Sequence, residues 1–409
     1  MKVLQINNVH YRRGGADAVY LNTAELLQQH GDEVVFFNML KSNNLPCKDE
    51  KYWVESMEGS RNPISILKRL RNFFDNPEAA KKIEELIVAE KPDIAHVHLF
   101  WGMGISPSIT KVLRKYHIPL VHTAHDYHMI CPVALLMDTK ANVCEACRGK
   151  HYYKACLKGC SHNGRLATCI KVAEQYYHNR KYNPVDVLQG IIYVSNFSQK
   201  KHLEYMPSLV QVKSTVIYNF NTTSGLRKDF NGKYFLYYGR LAQEKGLFTL
   251  LEAFRKNPKL HLKVVGAGPL EVSLTQQLPE NVEMLGPKYG DELFELVKGA
   301  RFVCVPSECY ENNPLTIVEA YSFGVPVIGA QLGGITEIIR DGETGFLFES
   351  KNVSSLSSVL AKTLTIDDVL YASMCDNAFV FAKEHFSPEE HYKKLIAFYQ
   401  DVLDSYNAI

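Results

Sequence analysis

The sequence predicts an α/β protein made of two doubly wound halves, each a parallel sheet flanked by helices. Short apolar, strand-like runs alternate with amphipathic segments of ten or more residues, and parallel strands require crossovers of that length. The alternation is interrupted once, by the polar, turn-rich stretch NFNTTSGLRKDFNGK from Asn219, and then restarts. At 409 residues the chain is also too long for a single core and suits two domains.

In order, KVLQIN reads as a strand and leads into the amphipathic helix DAVYLNTAELLQQHG, which Gly31 ends as a C-cap. The strand EVVFFNM, a polar stretch, the helix AAKKIEELIVAEK and the strand DIAHVH follow. The helix ISPSITKVLRKY, the strand PLVHTAHD, a cysteine-rich insert at about 131–169 and a helix around Val172–Tyr182 come next. GIIYVSN, the helix SQKKHLEYM and the strand STVIYN close the first half. The second half repeats the scheme: YFLYYGR, the helix GLFTLLEAFRKN, LKVVG, VEML, the helix DELFELVKG, RFVCVPS, the helix LTIVEAYSFG, PVIGA, and a loop to GFLFES. The expected boundaries are 1–219, 220–387 and 388–409. The last segment is a helix, PEEHYKKLIAFYQDVLDSY, expected to return to the first domain. Ligands are expected where the carboxyl ends of the strands of the two halves face each other across a cleft.

Composition narrows the function. The chain is 46% hydrophobic and 22% charged, without repeats or low-complexity tracts, as in soluble globular proteins. A net charge of +2 argues against a global nucleic-acid partner. MKVLQINNVH is too briefly apolar for a signal peptide, and no window reaches the roughly 18 apolar residues of a membrane span. The expected location is the cytoplasm, where thiols stay reduced.

Of ten cysteines, Cys47, Cys304, Cys309 and Cys375 are scattered and read as buried hydrophobes. Cys131, Cys144, Cys147, Cys156, Cys160 and Cys169 crowd the insert. Cys144-x2-Cys147 and Cys156-x3-Cys160 suit a tetrahedral structural Zn²⁺, with Cys131 as a substitute ligand. Buried free thiols or disulfides are the alternatives.

In the second half, Arg240 ends the first strand and Lys245-Gly246 stands at the next helix start. Two cations beside free backbone N–H groups can hold a diphosphate, or can simply be solvated. VVGAGPL places Gly266 and Gly268 after a strand but lacks the third glycine of a dinucleotide fingerprint. A tight turn and close approach to a nucleotide base both remain open there. ENNPLTIVE carries Glu311 and Glu319. A helix starting near Pro314 puts Glu311 in the loop before it and Glu319 in its second turn. The rise of ~1.5 Å per residue separates the two acids by roughly a sugar-plus-phosphates length.

YYGRLAQEKG, VVGAGPL, VPSECYENNPLTIVEA and GGITEIIRDGETGFL occur in the order and at the spacing of glycosyltransferase family 4. Gly14-Gly15 after the first strand and His125-Asp126 after PLVHTA add two first-half motifs, so the sequence resembles that family over essentially its whole length. The resemblance implies a GT-B fold of two Rossmann-like domains and retaining transfer from a UDP- or GDP-linked sugar to a glycan or lipid-linked acceptor. It implies that Arg240 and Lys245 clamp the diphosphate, Glu319 binds ribose, and Glu311 contacts the transferred sugar with help from Asn312, Asn313 and Leu315. Gly14 and Gly15 resemble a loop closing on the donor phosphates, and His125 the histidine near the anomeric carbon. Asn-Asn-Pro stands where many members have Gly-Phe-Gly, which bears on the sugar contacts. No Asp-x-Asp motif is present, so catalysis is expected to need no metal cofactor. A front-face route is favoured, with Asp126 as the other candidate base or nucleophile.

The first half is the acceptor side in this family. The basic helix ISILKRLRNFF, together with Arg148, Lys150, Lys154, Lys158, Arg165 and Lys171 among the insert's tyrosines, suggests peripheral contact with the inner membrane face, against a solvated helix face. Two other functions are open to this architecture. One is a nucleotide-sugar epimerase of the same architecture, which Glu311, Glu319 and the Gly333-Gly334-x-x-Glu337 pattern disfavour. The other is a non-catalytic partner subunit, disfavoured by intact Arg240 and Lys245.

Overall fold

The computed structural model describes residues 1–56, 62–101, 104–222 and 232–408. Most of the expected linker, residues 223–231, lies outside them. The chain divides into two compact units. The first comprises Met1–Thr139, Cys144–Ile217 and Tyr392–Ile409, the second Lys140–Val143 and Tyr218–His391.

The first unit is built on β1 (Lys2–Ile6), β2 (Glu33–Phe37), β5 (Ile94–Val97), β6 (Leu120–Ala124), β7 (Gly190–Tyr193) and β8 (Lys213–Val216), with β3 (Met39–Leu40) and β4 (Val54–Glu55) as a separate two-residue pair. The sheet order is β2-β1-β5-β6-β7-β8 and every pairing is parallel. Its central strands are buried throughout, as a parallel sheet covered on both faces requires. Gly31, at φ 86, follows the helix Gly15–Gln29 and turns the chain out of it.

The last helix, Pro388–Asn407, belongs to the first unit from Tyr392 onward. Leu395, Phe398, Tyr399 and Val402 share a core cluster with Val3, Leu27, Ile94, Val121 and Ile192. Each such side chain contributes about 1.5–3 kcal/mol on burial. Gly190 on β7 makes room for this helix, since a Cβ there would come within 2.9 Å of the Phe398 ring.

The second unit contains β9 (Tyr234–Tyr238), β10 (Leu262–Val265), β11 (Val282–Met284), β12 (Ala300–Val305), β13 (Val327–Ala330) and β14 (Gly345–Phe348). Their order is β11-β10-β9-β12-β13-β14, again all parallel. The winding reverses between β9 and β12, so the loops leaving those two strands border the crevice where open α/β sheets bind ligands. Strand side chains alternate between two cores. Phe235, Tyr237, Phe302 and Cys304 enter one cluster, while Leu236, Tyr238, Val303 and Val305 enter the other.

Some elements differ from expectation. The ISPSITKVLRKY segment opens with a 3₁₀ turn, Pro107–Ile109, and continues as the helix Thr110–Lys115, because Ser106 sits at φ 64 and cannot be helical. Pro314 lies one position before the helix Leu315–Ser322, at its N-cap with extended ψ. Helices Val353–Thr363, Asp368–His385 and, in the insert, Tyr153–Lys158 were not anticipated. Among the described residues, no helix is long and apolar enough to cross a membrane.

Candidate functional site

In the second unit the site begins where β9 and β10 end. Gly266 has φ 142, and a Cβ on it would lie 1.9 Å from the Gly239 carbonyl oxygen, so the two strand ends can meet only through glycine. The contact accounts for this glycine without any ligand. Beyond Gly239 the chain makes a 3₁₀ turn, Gln243–Lys245, closed by Gly246 at φ 70. Here too the neighbour is backbone, since a Gly246 Cβ would meet the Pro306 carbonyl oxygen at 1.9 Å. The Glu308 N–H donates to the Glu244 carbonyl at 2.8 Å, and the Thr249 hydroxyl donates to Glu308 Oε1 at 2.7 Å. The loop after β9 is thereby fastened to the loop after β12.

That fastening decides where the predicted charges sit. Lys245 Nζ donates to Glu311 Oε1 at 2.6 Å, and the Ser307 hydroxyl donates to the same oxygen at 2.7 Å. Burial by itself would raise the Glu311 carboxyl and lower the Lys245 ammonium. Their mutual attraction overrides it, so the carboxyl is held below its ordinary value and the ammonium above. Arg240 pairs with Glu244 four residues on, its own side chain well exposed. The cations therefore face carboxylates instead of standing free.

The Glu311 loop is braced from below. The Gly334 N–H donates to the Glu311 carbonyl at 2.7 Å, and a Cβ on Gly334 would strike the Asn312 carbonyl oxygen at 1.8 Å. Gly333, at φ 65, abuts the Glu311 backbone in the same way. Asn313 uses its side chain structurally: its Oδ1 accepts the Asn219 N–H at 2.8 Å, and its carbonyl accepts from Asn219 Nδ2 at 2.7 Å. Asn312 is buried beside it, and Leu315 opens the helix. Glu319 lies on that helix against the Tyr238 hydroxyl, whose ionisation burial and the Glu319 carboxylate push far up. Ser307, Glu244 and Glu308 are participants the motif reading missed. Ser307 and Glu308 lie inside VPSECYE, and Glu244 sits four residues after Arg240.

In the first unit, His125 follows β6, with Nε2 2.9 Å from His98 Nδ1. Burial pushes its pKa down to about 4, so the ring is neutral near pH 7. Asp126 accepts the His128 N–H at 2.9 Å through Oδ1, and its Oδ2 is 2.9 Å from His128 Nδ1. Burial would raise that carboxyl, but His128 holds it down to about 2. Gly14 is the N-cap of the helix Gly15–Gln29, and a Cβ there would meet nothing within 4 Å. The arginines before it are tethered, Arg12 to Asn22 and Arg13 to Asp17.

The cysteines are arranged differently from the expected zinc set. Among the described residues, no group of three or more Cys, His, Asp or Glu side chains is disposed to hold a metal ion. Cys147 and Cys160 are buried with Tyr152, Ala155 and Val172 in a small core. Burial, reinforced by the neighbouring Cys131, Cys144 and Cys160, pushes the Cys147 thiol up to about 12. Cys144 Sγ accepts from Lys158 Nζ at 3.2 Å. Cys156 and the exposed Cys169, both free thiols, face each other. Gly159, at φ 65, ends the helix Tyr153–Lys158 between Cys156 and Cys160.

The doubly wound sheets and the residues at their strand ends suit an α/β enzyme, and comparison with known proteins gives its family. Residues 222–381 match the family model for glycosyl transferases group 1, and residues 13–223 match that for Glycosyltransferase Family 4. The chain belongs to glycosyltransferase family 4 and is a glycosyltransferase. An uncharacterised 42.6 kDa protein of the cps region of Klebsiella pneumoniae is 28% identical, covering 83% of this chain and 88% of its own. An uncharacterised glycosyltransferase of Methanocaldococcus jannaschii is 23% identical over 83% of this chain and 84% of its own. Among solved structures, sucrose-phosphate synthase from Thermosynechococcus elongatus superposes with a TM-score of 0.72 at 17% identity, covering 99% of both chains. HepE from Anabaena, solved with UDP-glucose, gives 0.61 at 18% identity, covering 98% of this chain and 100% of that one. These likenesses establish the GT-B fold.

Proposed function

We propose that the chain is a retaining transferase that moves a sugar from a UDP- or GDP-linked donor to a glycan or lipid-linked saccharide, at the cytoplasmic face of the membrane, in surface polysaccharide synthesis. The Lys245–Glu311 pair with Ser307 carries the reading. It stores, one against the other, a cation suited to a diphosphate and a carboxylate suited to sugar hydroxyls. The UDP-glucose bound by HepE and the cps region of the Klebsiella relative support donor and pathway class.

In this scheme Arg240 and Lys245 turn from their carboxylate partners to the donor diphosphate, and Glu311, released, accepts from the sugar. Glu319 accepts from ribose hydroxyls, and Asn312, Asn313 and Leu315 offer backbone N–H groups. His125 contacts the transferred sugar, and Gly14-Gly15 form the closing loop of the first unit. The bond from the anomeric carbon to the diphosphate oxygen breaks with its electron pair on oxygen, where the two cations stabilise the charge. The acceptor hydroxyl bonds to that carbon on the same face, and its proton passes to the departing oxygen. Asp126 stays ionised against His128 and takes no covalent part. Trapping a glycosyl-enzyme on Asp126 or Glu311 would overturn the route. A thermal-shift panel of UDP-, GDP- and ADP-sugars, followed by hydrolysis assays, tests the function. No stabilisation by any of them removes the transferase reading's main support.

Two further parts of the proposal are separable. The helix Pro63–Phe74 exposes Ile66, Leu67 and Leu70 beside Lys68, Arg69 and Arg71, a composition suited to an anionic lipid surface. Liposome co-sedimentation independent of anionic lipid removes that part. A structural zinc would be held by Cys131, Cys144, Cys147 and Cys160 drawn together, without Cys156. Metal analysis of protein made without a histidine tag decides it, and less than about a tenth of an equivalent rejects a four-thiolate site.

A further inference from the structure

Behind His125 runs a chain of buried polar side chains from three strands and the last helix. Gln5 on β1 lies between His96 and His98, its Oε1 2.9 Å from His98 Nε2 and its Nε2 3.5 Å from His96 Nδ1. His98 Nδ1 is 2.9 Å from His125 Nε2, and His96 Nε2 is 2.7 Å from Thr123 Oγ1. The Tyr399 hydroxyl, from the helix Pro388–Asn407, is 2.5 Å from His96 Nδ1. The His96 and His98 rings lie 4.3 Å apart, and the His98 and His125 rings are nearly parallel with centroids 5.2 Å apart. Gln5, His96, His98, Thr123 and Tyr399 are at most 4% exposed, so water cannot substitute for these partners.

The arrangement assigns the protons. An amide oxygen only accepts, so His98 Nε2 carries a proton and donates it to Gln5. Neutral His98 then has a bare Nδ1, and His125 Nε2 must donate to it. His96 Nδ1 receives the Gln5 amide and the Tyr399 hydroxyl, which leaves its proton on Nε2 for Thr123. Turning the Gln5 amide over would move the proton on His98 and on His125 together. One amide thus governs two imidazoles.

We propose that Gln5 is a positioning residue that, through His98, holds His125 with its proton on Nε2, so that at Nδ1 the ring can only accept a hydrogen bond. Its functional consequence rests on the reading of His125 as the sugar contact: a sugar hydroxyl would meet an acceptor there, and the other tautomer would oppose a donor to a donor. Removing Gln5 takes away the amide oxygen that His98 Nε2 donates to, so both tautomers of His125 become populated.

The test is nitrogen NMR of the full chain labelled with ¹⁵N-histidine, the His125 signals being identified by their loss in His125→Gln. The expected result near neutral pH is a protonated Nε2 and an unprotonated Nδ1 in the wild type, and averaged signals in Gln5→Leu. A wild-type His125 protonated at Nδ1 overturns the proposal, as does a Gln5→Leu spectrum identical to the wild type. Should Gln5→Leu not fold, the wild-type tautomer alone decides. The kinetic arm uses whichever UDP-, GDP- or ADP-sugar stabilises the protein. Gln5→Leu should lower kcat/KM for its hydrolysis by about twofold to tenfold, the worth of one hydrogen bond to the sugar. An unchanged kcat/KM rejects the positioning role. The NMR arm needs no donor, so failure of the transferase reading and failure of this proposal are told apart.

Discussion

The two units use the same scaffold, helices wound on a parallel sheet with candidate residues at the strand ends, yet they treat charge in opposite ways. The second unit keeps full charges at its crevice and neutralises them pairwise, Lys245 with Glu311 and Arg240 with Glu244. The first unit turns Asp126 onto His128, and sets behind His125 a chain of imidazoles, an amide and hydroxyls. On the proposed function, the difference matches what each would bind. A diphosphate leaving group needs cations that persist at every pH of interest, whereas an uncharged sugar is best read by neutral groups whose donors and acceptors are fixed.

Breaking the charged side should have the largest effect. Lys245→Ala removes the cation and strands Glu311, so nucleotide-sugar hydrolysis should fall by about a hundredfold or more. Stability should fall by about 3–5 kcal/mol in denaturant titration. Adding Glu311→Gln should recover much of the stability and none of the activity. Recovery of both would mean that the pair is only structural.

Next comes the brace beneath it. Gly334→Ala forces a methyl to 1.8 Å from the Asn312 carbonyl oxygen. The loop must shift, at a cost of about 1–3 kcal/mol in thermal unfolding, with weaker binding of the donor sugar. Unchanged melting would show that Gly334 has more room than its position implies.

The neutral side can be probed by acid. Burial pushes His122 down to about 3 and His202 down to about 4, while the unfolded chain takes up those protons near 6.5. Below 6.5 the unfolded state therefore binds more protons, and stability should decline as pH falls from about 6.5 toward 4, by up to about 1.4 kcal/mol per pH unit for each ring. Asp126, held to about 2, loses its contribution only below the ordinary carboxylate range. Melting scans between pH 7 and 4.5 should slope downward in the wild type and less steeply in His202→Gln. Parallel slopes would sink the assignment.

The smallest effect is expected at the ribose end. Glu319→Gln keeps the shape and removes the charge beside Tyr238, and should weaken nucleotide binding by about tenfold, measured by calorimetry. No change would free Glu319 from its assigned role.

Much of the second unit's site was legible because its residues lie in contiguous stretches, Arg240 to Gly246 and Ser307 to Glu319, where spacing translates directly into position. What spacing could not convey is partnership. Two cations near a helix start read as an open diphosphate site, yet each has a carboxylate against it. The cysteine pairs misled for a related reason. Cys156 and Cys160 are close in sequence, yet Cys156 faces Cys169 while Cys160 is buried with Cys147. The relay behind His125 left no sequence signal at all. Gln5 and His98 are 93 residues apart, and they meet only because β1 pairs with β5.

By itself the sequence determined the two doubly wound halves, the family, and the order of the motifs, because alternating apolar periodicity and glycine- and proline-marked turns are local properties. Only the tertiary structure decided the ion pairs, the packing of glycines against backbone carbonyls, and the hydrogen-bonded chain that links Tyr399, His96, Gln5, His98 and His125. Those depend on which strands become neighbours, and neighbour choice is settled by burial of whole faces, which no short stretch of residues records.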